Sequence, residues 1–242
     1  RWYHALIAAK ISTAGNMAKA DLKIDWATHE AAKYACVNWH YSGCLPVGKL
    51  VKVGVWECGK FIGVVLFGRG ASPQLGKKFG LGQDKCAELV RVALTAHKTT
   101  VSRIISVALR FLSNSSPLLS LIVSFADPDK GHHGGIYQAG NWLYCGDSSS
   151  TTELFIRGRW VHMRGGFYEK NESTPRREMP GKHRYLMPLD KEMAEQIKPL
   201  AKPYPKREKQ AMASFPEAQR QGSTDLYAPI LKGKGEGFST IK

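Results

Sequence analysis

The sequence has few cysteines and no long apolar run, and each absence excludes a class of protein. Its five cysteines are odd in number and include no CxxC pair. This argues against a disulfide framework or a structural zinc site, and it predicts a reducing, cytoplasmic setting. No apolar stretch approaches the roughly 20 residues that span a bilayer, and nothing at the start resembles a signal peptide. We therefore expect neither a membrane-spanning nor a disulfide-stapled protein.

Acidic residues are also scarce. The 242 residues include 35 Lys and Arg but only 20 Asp and Glu, which gives a formal net charge of +15. This balance predicts a polyanionic partner, most commonly nucleic acid. A basic ribosomal or structural protein is the alternative, but six Trp and a hydrophobic content of 43% indicate a chain with a substantial core.

The most informative stretch is Leu118–Gly146. An apolar run of strand length is followed by a Gly-rich polar turn, a short helical segment at 136–139 and a second strand near 142–144. Ser, Asp, His, Tyr and Asn surround the carboxyl end of the first strand, where open α/β sheets usually bind ligands. We expect part of an active site in this stretch.

The remaining pattern predicts a mixed α/β protein. The expected elements are a helix over Asp25–Trp39, a hairpin of Leu50–Glu57 and Lys60–Gly68, a strand over Cys86–Thr95, a helix over Thr99–Ser113, a hairpin of Glu153–Ile156 and Arg159–Met163, and a short helix over Asp190–Leu200. Simple alternation in the third strand would direct Glu88, Val90, Val92 and Leu94 to one face and Leu89, Arg91 and Ala93 to the other.

Three regions are expected along the chain. Residues 1–156 would form the catalytic core, 157–200 a basic hairpin and helix packed on it, and 201–242 an extended or disordered tail. Residues 157–184 carry a net charge of +5 with interleaved aromatic residues, which suits phosphate contacts and base stacking. The alternative is a hairpin that is basic only because the whole protein is. The predicted DNA contacts are Arg164, Arg176, Arg177, Lys182, His183, Arg184 and Tyr185.

The order of elements resembles the acyl-CoA acetyltransferase-like (GNAT) fold, a mixed sheet with helices on both sides that splays after its fourth strand. The resemblance implies a Gly-rich turn before the long helix that cradles a pyrophosphate. Here that turn, residues 96–103, contains no glycine. The departure disfavours acyl-CoA as a ligand held in that way.

Several short motifs resemble a narrower group, the Mom family of bacteriophage DNA-modification proteins. They cover roughly residues 25–190 in the right order. The matching strings are Trp39-His40-Tyr41-Ser42 with Leu45-Pro46, Glu88-Leu89-x-Arg91, Ser102-Arg103, Ser124-Phe125-Ala126-Asp127-Pro128, Gly131-His132, Ile136-Tyr137-Gln138-Ala139, Asn141-Trp142 with Tyr144 and Gly146, and Lys182-His183-Arg184-Tyr185.

This resemblance implies conversion of adenine in DNA to N6-carbamoylmethyladenine, protection of phage DNA from restriction in the host cytoplasm, and a bound iron. The donor would be an acyl-CoA or an aminoacylated carrier RNA. Two other functions stay open: a conventional acyl-CoA N-acetyltransferase acting on a small amine or protein, and a non-catalytic DNA-binding protein. The basic charge disfavours the first, and the cluster of polar residues in one turn disfavours the second.

Modification of an amine inside a duplex requires an extruded base, a stacking side chain and a general base. The predicted catalytic residues are His40, Tyr41, Glu88, Ser124, Asp127 and Tyr137, with Asp127 the first choice of base and Glu88 the second. The predicted substrate-binding residues are Arg91, Ser102, Arg103, Asn141 and Tyr144. Iron prefers two histidines and a carboxylate, and the candidates are His40, Asp127 and His132.

Overall fold

The computed structural model describes residues 21–70, 72, 74–163 and 173–206. The expected mixed sheet flanked by helices is confirmed. The helices are α1 (His29–Trp39), α2 (Val101–Ser115), α3 (Gly135–Gln138) and α4 (Lys191–Ile197). The strands are β1 (Leu22–Trp26), β2 (Leu50–Glu57), β3 (Lys60–Gly68), β4 (Cys86–Leu94), β5 (Leu121–Ala126), β6 (Leu143–Asp147), β7 (Thr151–Ile156), β8 (Arg159–His162), β9 (Arg176–Met179) and β10 (His183–Pro188).

The central sheet has the order β1-β2-β3-β4-β5-β10-β6. Only β4 and β5 are parallel, and α2 supplies the crossover between them. The hairpin of β2 and β3 is confirmed. Cys58 and Gly59 connect its strands with φ values of +50° and +75°, as a primed two-residue turn requires.

The first helix is shorter than predicted. It begins at His29, because the Thr28 hydroxyl accepts the Ala31 N–H at 3.1 Å and caps the first turn. Residues 22–26, partly assigned to the helix from the sequence, instead pair with β2 as an edge strand. Local spacing could not indicate this strand, because its hydrogen bonds are made with residues about 30 positions away.

The helices cover both faces of the sheet. On one face, Ala32, Ala35 and Cys36 of α1 pack against β3 and β4, and Met193 and Ile197 of α4 pack against β5 and β10. The other face is covered by the apolar stripe of α2, which consists of Ile104, Ile105, Ala108, Leu109 and Leu112. All of these α2 side chains are buried, so the stripe predicted from helical spacing is confirmed.

A β-bulge in β4 changes which side chains share a face. Phe67 pairs with Leu89 and Leu66 pairs with Arg91, so Val90 is the extra residue. The predicted alternation is therefore wrong beyond Leu89. Glu88 and Arg91 lie on the α1 face together, whereas simple alternation had separated them.

Parallel pairing between β4 and β5 stops at Leu89 and Ser124, although β4 continues to Leu94 and β5 to Ala126. We call this point the splay. Beyond it, β5 is paired on its other side with β10, which lies between β5 and β6. The segment expected to pack on the core as a basic hairpin and helix thus contributes residues 183–188 to the central sheet itself.

The predicted hairpin of β7 and β8 is confirmed, and β9 joins it to form a three-stranded accessory sheet in the order β8-β7-β9. Residues 201–206 of the predicted tail lie against the core. The Lys202 N–H donates to the Tyr144 carbonyl at 2.8 Å, and the Tyr204 hydroxyl donates to the Trp142 carbonyl at 2.7 Å. The rest of that tail, residues 207–242, is outside the described residues.

The turn between β4 and α2 is organised by an internal carboxylate. Glu57, at the end of β2, is 9% exposed and accepts the backbone N–H groups of Lys98 and Thr99 at 2.9 and 2.8 Å. It also accepts the Thr99 hydroxyl at 2.6 Å. These hydrogen bonds, first that of the Thr99 side chain, hold the pKa of Glu57 below its usual value.

We expect Glu57→Gln to lower the free energy of unfolding at pH 7 by about 1.5–3 kcal/mol, because the charged acceptor of the two backbone N–H groups is lost. The pKa of Glu57 is lower in the folded than in the unfolded state. Its contribution is therefore complete above the ordinary pKa of 4.5 and is lost as the pH falls through the lower folded value. Urea unfolding at several pH values measures both effects. Glu195→Gln, on an exposed carboxylate, is the control; an equal loss there would contradict the prediction.

Candidate active site

Most predicted catalytic residues lie around the splay. The loop after α1 supplies His40 and Tyr41, β4 supplies Glu88 and Arg91 on either side of the bulge, and β5 supplies Ser124. The turn after β5 contributes His132, and α3 contributes Tyr137. α3 can approach closely because Gly134, with φ +81°, has no Cβ; one placed there would overlap the Tyr185 ring.

A buried hydrogen-bonded relay marks the splay. Ser124 is fully buried, and its hydroxyl lies 2.8 Å from the Leu89 carbonyl and 2.7 Å from the Tyr137 hydroxyl. The carbonyl can only accept, so Ser124 donates to Leu89, and Tyr137 donates to Ser124. The sequence-based view that this serine serves backbone groups rather than acting as a nucleophile agrees with this geometry.

Tyr137 keeps its proton at neutral pH. Burial raises the pKa of Tyr137 to about 12, the nearby Glu88 and Tyr41 side chains raise it further, and the Ser124 hydrogen bond opposes them. The side chain is 8% exposed. Tyr137 can therefore donate a hydrogen bond at the splay, but it is no proton acceptor there.

A layer of stacked rings covers the relay from the loop after α1. The ring centroids of Tyr41 lie 4.3 Å from His40 and 5.1 Å from His132. Tyr41 is 66% exposed, so one large part of its ring is open to an incoming flat ligand. Such stacking surfaces bind nucleobases of any sequence.

His40 is neutral and its tautomer is defined. Burial, then the charges of Arg91 and His132, lower its pKa to about 4. Its Nδ1 accepts the Ser42 N–H at 3.2 Å, so the ring proton of the neutral form is on Nε2. His40 is thus a hydrogen-bond donor toward the site. On the same side, both terminal nitrogens of Arg91 lie 3.8 Å from the Cys44 sulfur.

Asp127, the first choice of general base from the sequence, is engaged by other groups. Its carboxylate forms an ion pair with Lys182 at 2.8 Å and accepts the Asp129 N–H at 3.1 Å. Within the described part of the chain, no group of three or more His, Cys, Asp or Glu side chains is arranged to hold a metal. His40, Asp127 and His132 therefore do not fit the iron site that the sequence suggested.

A second polar cluster involves Asp147, which the sequence did not single out. One oxygen of Asp147 lies 2.6 Å from His183 Nδ1 and 2.8 Å from the Tyr144 hydroxyl. Burial opposes ionisation of Asp147, but the hydrogen bonds from His183 and Tyr144 lower its pKa overall. Burial, then the Asp147 hydrogen bond, raise the pKa of Tyr144 to about 12. Only the pairing of β6 with β10 brings these residues together.

Other predicted substrate-binding residues lie at exposed turns. Ser102 and Arg103 occupy the first turn of α2, where Arg103 is exposed. Two backbone N–H groups just before that helix are already bound by Glu57. Asn141 is exposed in a left-handed conformation with φ +58°, in the turn that leads to the buried Trp142.

The predicted DNA contacts divide into two groups. Arg176, Arg177 and Lys182 are exposed at the accessory sheet and the strand that follows it, while Arg164 lies outside the described residues. Arg184 is partly buried over Phe125. Tyr185 is fully buried and its hydroxyl donates to the His133 carbonyl, so its assignment as a DNA contact is corrected to a core residue. A half-buried position in a central strand cannot be told from an exposed one by local charge alone.

Taken together, these features define a basic α/β protein with a polar and aromatic site at the splay of its sheet. The model of the Mom protein family matches residues 21–206, and the chain belongs to this family. It is 24% identical over 204 residues to "Methylcarbamoylase mom" of Escherichia phage Mu, which covers 77% of this chain and 84% of that protein.

Among solved structures, the chain is similar to a protein from Acinetobacter baylyi ADP1 that is described as an acetyltransferase. The TM-score is 0.41 at 12% identity, and the match covers 72% of this chain and 95% of the other. None of the helices in the described ranges is long and apolar enough to cross a membrane.

We expect Ser124→Ala to cost about 2–4 kcal/mol of folding free energy, because the Leu89 carbonyl and the Tyr137 hydroxyl both lose a buried partner. Tyr137→Phe should cost about 1 kcal/mol, because Ser124 still donates to Leu89. Chemical denaturation of both variants measures the difference. A larger loss in Tyr137→Phe than in Ser124→Ala would contradict the assigned direction of the relay.

Proposed function

We propose that this protein is a transferase that converts adenine in DNA to N6-carbamoylmethyladenine and so protects phage DNA from restriction. The observation that carries the proposal is membership of the Mom family over residues 21–206, in which the relative from phage Mu is named a methylcarbamoylase. The net charge of +15 supports a nucleic-acid substrate. The exposed Tyr41 ring at the splay supports binding of a flat base.

The adenine must leave the duplex to reach the splay. In the proposed complex, its ring stacks on Tyr41, which His40 and His132 hold in place. The His40 Nε2–H and the Arg91 guanidinium supply hydrogen-bond donors beside it. The transfer forms a bond between N6 and the methylene carbon of the donor. The bond from that carbon to its leaving group breaks with its electron pair, and N6 releases one proton.

The donor is proposed to be an aminoacylated carrier RNA rather than an acyl-CoA. The turn before α2 is where the resemblance to acetyltransferases placed the pyrophosphate of an acyl-CoA. In this chain the Lys98 and Thr99 N–H groups of that turn donate to Glu57 instead. A second anion beside that carboxylate would be repelled.

The accessory sheet is the proposed DNA-binding surface. Arg177 is stacked on Trp160 at 4.6 Å and donates to Glu153 at 2.6 Å, and Phe155 packs 5.2 Å from Trp160. Phe155 and Trp160 are 40% and 38% exposed. Guanidinium and aromatic groups on one exposed face suit phosphate contacts and base stacking.

The proposed activity is tested by mass spectrometry of nucleosides from cells that express the protein. Deoxyadenosine carrying one carbamoylmethyl group is expected, and cells with an empty vector should lack it. Tyr41→Ala should lower the modified fraction by about tenfold or more, because base stacking contributes about 1–3 kcal/mol per base. An unchanged deoxyadenosine profile in expressing cells would refute the proposal.

The proposed DNA surface is tested by the salt dependence of duplex binding. Arg176→Ala removes an exposed charge without disturbing the Arg177–Trp160 stack, and it should reduce the slope of log K against log salt by about 1. Arg110→Ala is the matched control, because it removes the same charge from the exposed side of α2. Equal slopes for the two variants and the wild type would place DNA elsewhere on the protein.

A further inference from the structure

The Asp147–His183 pair has the geometry of a general base. We infer that His183, oriented by Asp147, accepts the proton that the adenine amine releases on transfer. This inference rests on the proposed function and assigns a residue to one of its steps. It also gives His183 a different role from the DNA contact that its basic surroundings predicted.

Hydrogen bonding defines the protonation of the imidazole. A carboxylate oxygen can only accept, so His183 Nδ1 donates its proton to Asp147 across 2.6 Å. In the neutral ring Nε2 is then unprotonated and carries the lone pair that a base requires. The Tyr144 hydroxyl donates to the same oxygen at 2.8 Å and packs edge-on to the His183 ring, which fixes the carboxylate and the imidazole together. The His183 side chain is 17% exposed, so the pair is neither solvated nor sealed.

The pair lies on the same face of the sheet as the Ser124–Tyr137 relay. Tyr185 is paired with Ser124, and His183, two residues earlier in β10, is paired with Ala126. Side chains two residues apart share a face, so His183 lies one step beyond Ser124 toward the carboxyl end of β5. A continuous row of rings connects the two places, with centroid distances of 5.1 Å from Tyr137 to Tyr185, 5.5 Å from Tyr185 to Tyr144 and 5.9 Å from Tyr144 to His183.

The other candidates suit this role less well. Asp127 already holds Lys182 and the Asp129 N–H. His40 carries its proton on Nε2, so it donates at the site, and Tyr137 is protonated. In the proposed step, N6 forms its bond to the donor methylene as the leaving group departs with its electron pair. The N6 proton passes to His183 Nε2, and the Asp147 carboxylate stabilises the resulting imidazolium.

Substitution of His183 separates a base from a structural residue. His183→Asn keeps a side-chain N–H near the position of Nδ1 and so can still donate to Asp147, but it lacks Nε2. We expect this variant to fold, to bind duplex DNA within about twofold of wild type, and to lose modification by about 100-fold or more, which is the usual contribution of a general base. His162→Ala, on the neighbouring β8, is the control and should modify adenine at the wild-type rate.

Imidazole supplies a readout that a structural role would not alter. In His183→Ala, added imidazole should restore part of the modification rate in proportion to its concentration. Asp147→Asn should fall by about tenfold or more without such rescue, since His183 is present but no longer held in the correct tautomer. The nitrogen chemical shifts of His183 should also show a protonated Nδ1 and an unprotonated Nε2 at neutral pH.

Three results would overturn the assignment. These are wild-type rates in His183→Asn, parallel losses of DNA binding and modification in that variant, or a proton on Nε2 of neutral His183. The second result would return His183 to the predicted role of DNA contact. Wild-type protein that leaves adenine unmodified would instead refute the proposed function, and with it the source of the proton.

Discussion

The end of parallel pairing between β4 and β5 is the constraint on which the rest of the site depends. Beyond Leu89 and Ser124 the two strands no longer share hydrogen bonds, although both continue. A buried carbonyl exposed in this way needs a partner. The Ser124 hydroxyl supplies one to Leu89, and Tyr137 of α3 completes the relay. Opening the sheet therefore requires a serine, a tyrosine and a helix that can approach closely at Gly134.

The bulge at Val90 acts together with the splay. It adds one residue to β4, and so Glu88 and Arg91 reach the α1 face from either side of it. The same face receives His40 and Tyr41 from the loop that follows α1. On the opposite face lie Ser124, Tyr137 and the Asp147–His183 pair. Groups from both faces can thus meet where the two strands part, with neutral donors on one side and a carboxylate-oriented imidazole on the other.

The late strand β10 links the central sheet to the accessory sheet. β6 runs directly toward β7, and β10 follows closely after β9, so both connections leave the central sheet at the carboxyl end of β5. The exposed arginines and the Phe155–Trp160 pair therefore belong to a unit attached beside the splay. In the proposed function, this arrangement lets one surface hold the duplex while an extruded base enters the site.

Local patterns in the sequence determined the class of fold, the β2–β3 and β7–β8 hairpins, the apolar stripe of α2 and the importance of the Leu118–Gly146 stretch. Each depends on spacing or turn chemistry within a few residues. Family motifs identified most residues at the splay. Tertiary structure alone decided the bulge at Val90, the insertion of β10, the burial of Tyr185 and the pairing of Asp147 with His183. These features depend on hydrogen bonds between residues up to about 60 positions apart, which no local period can indicate.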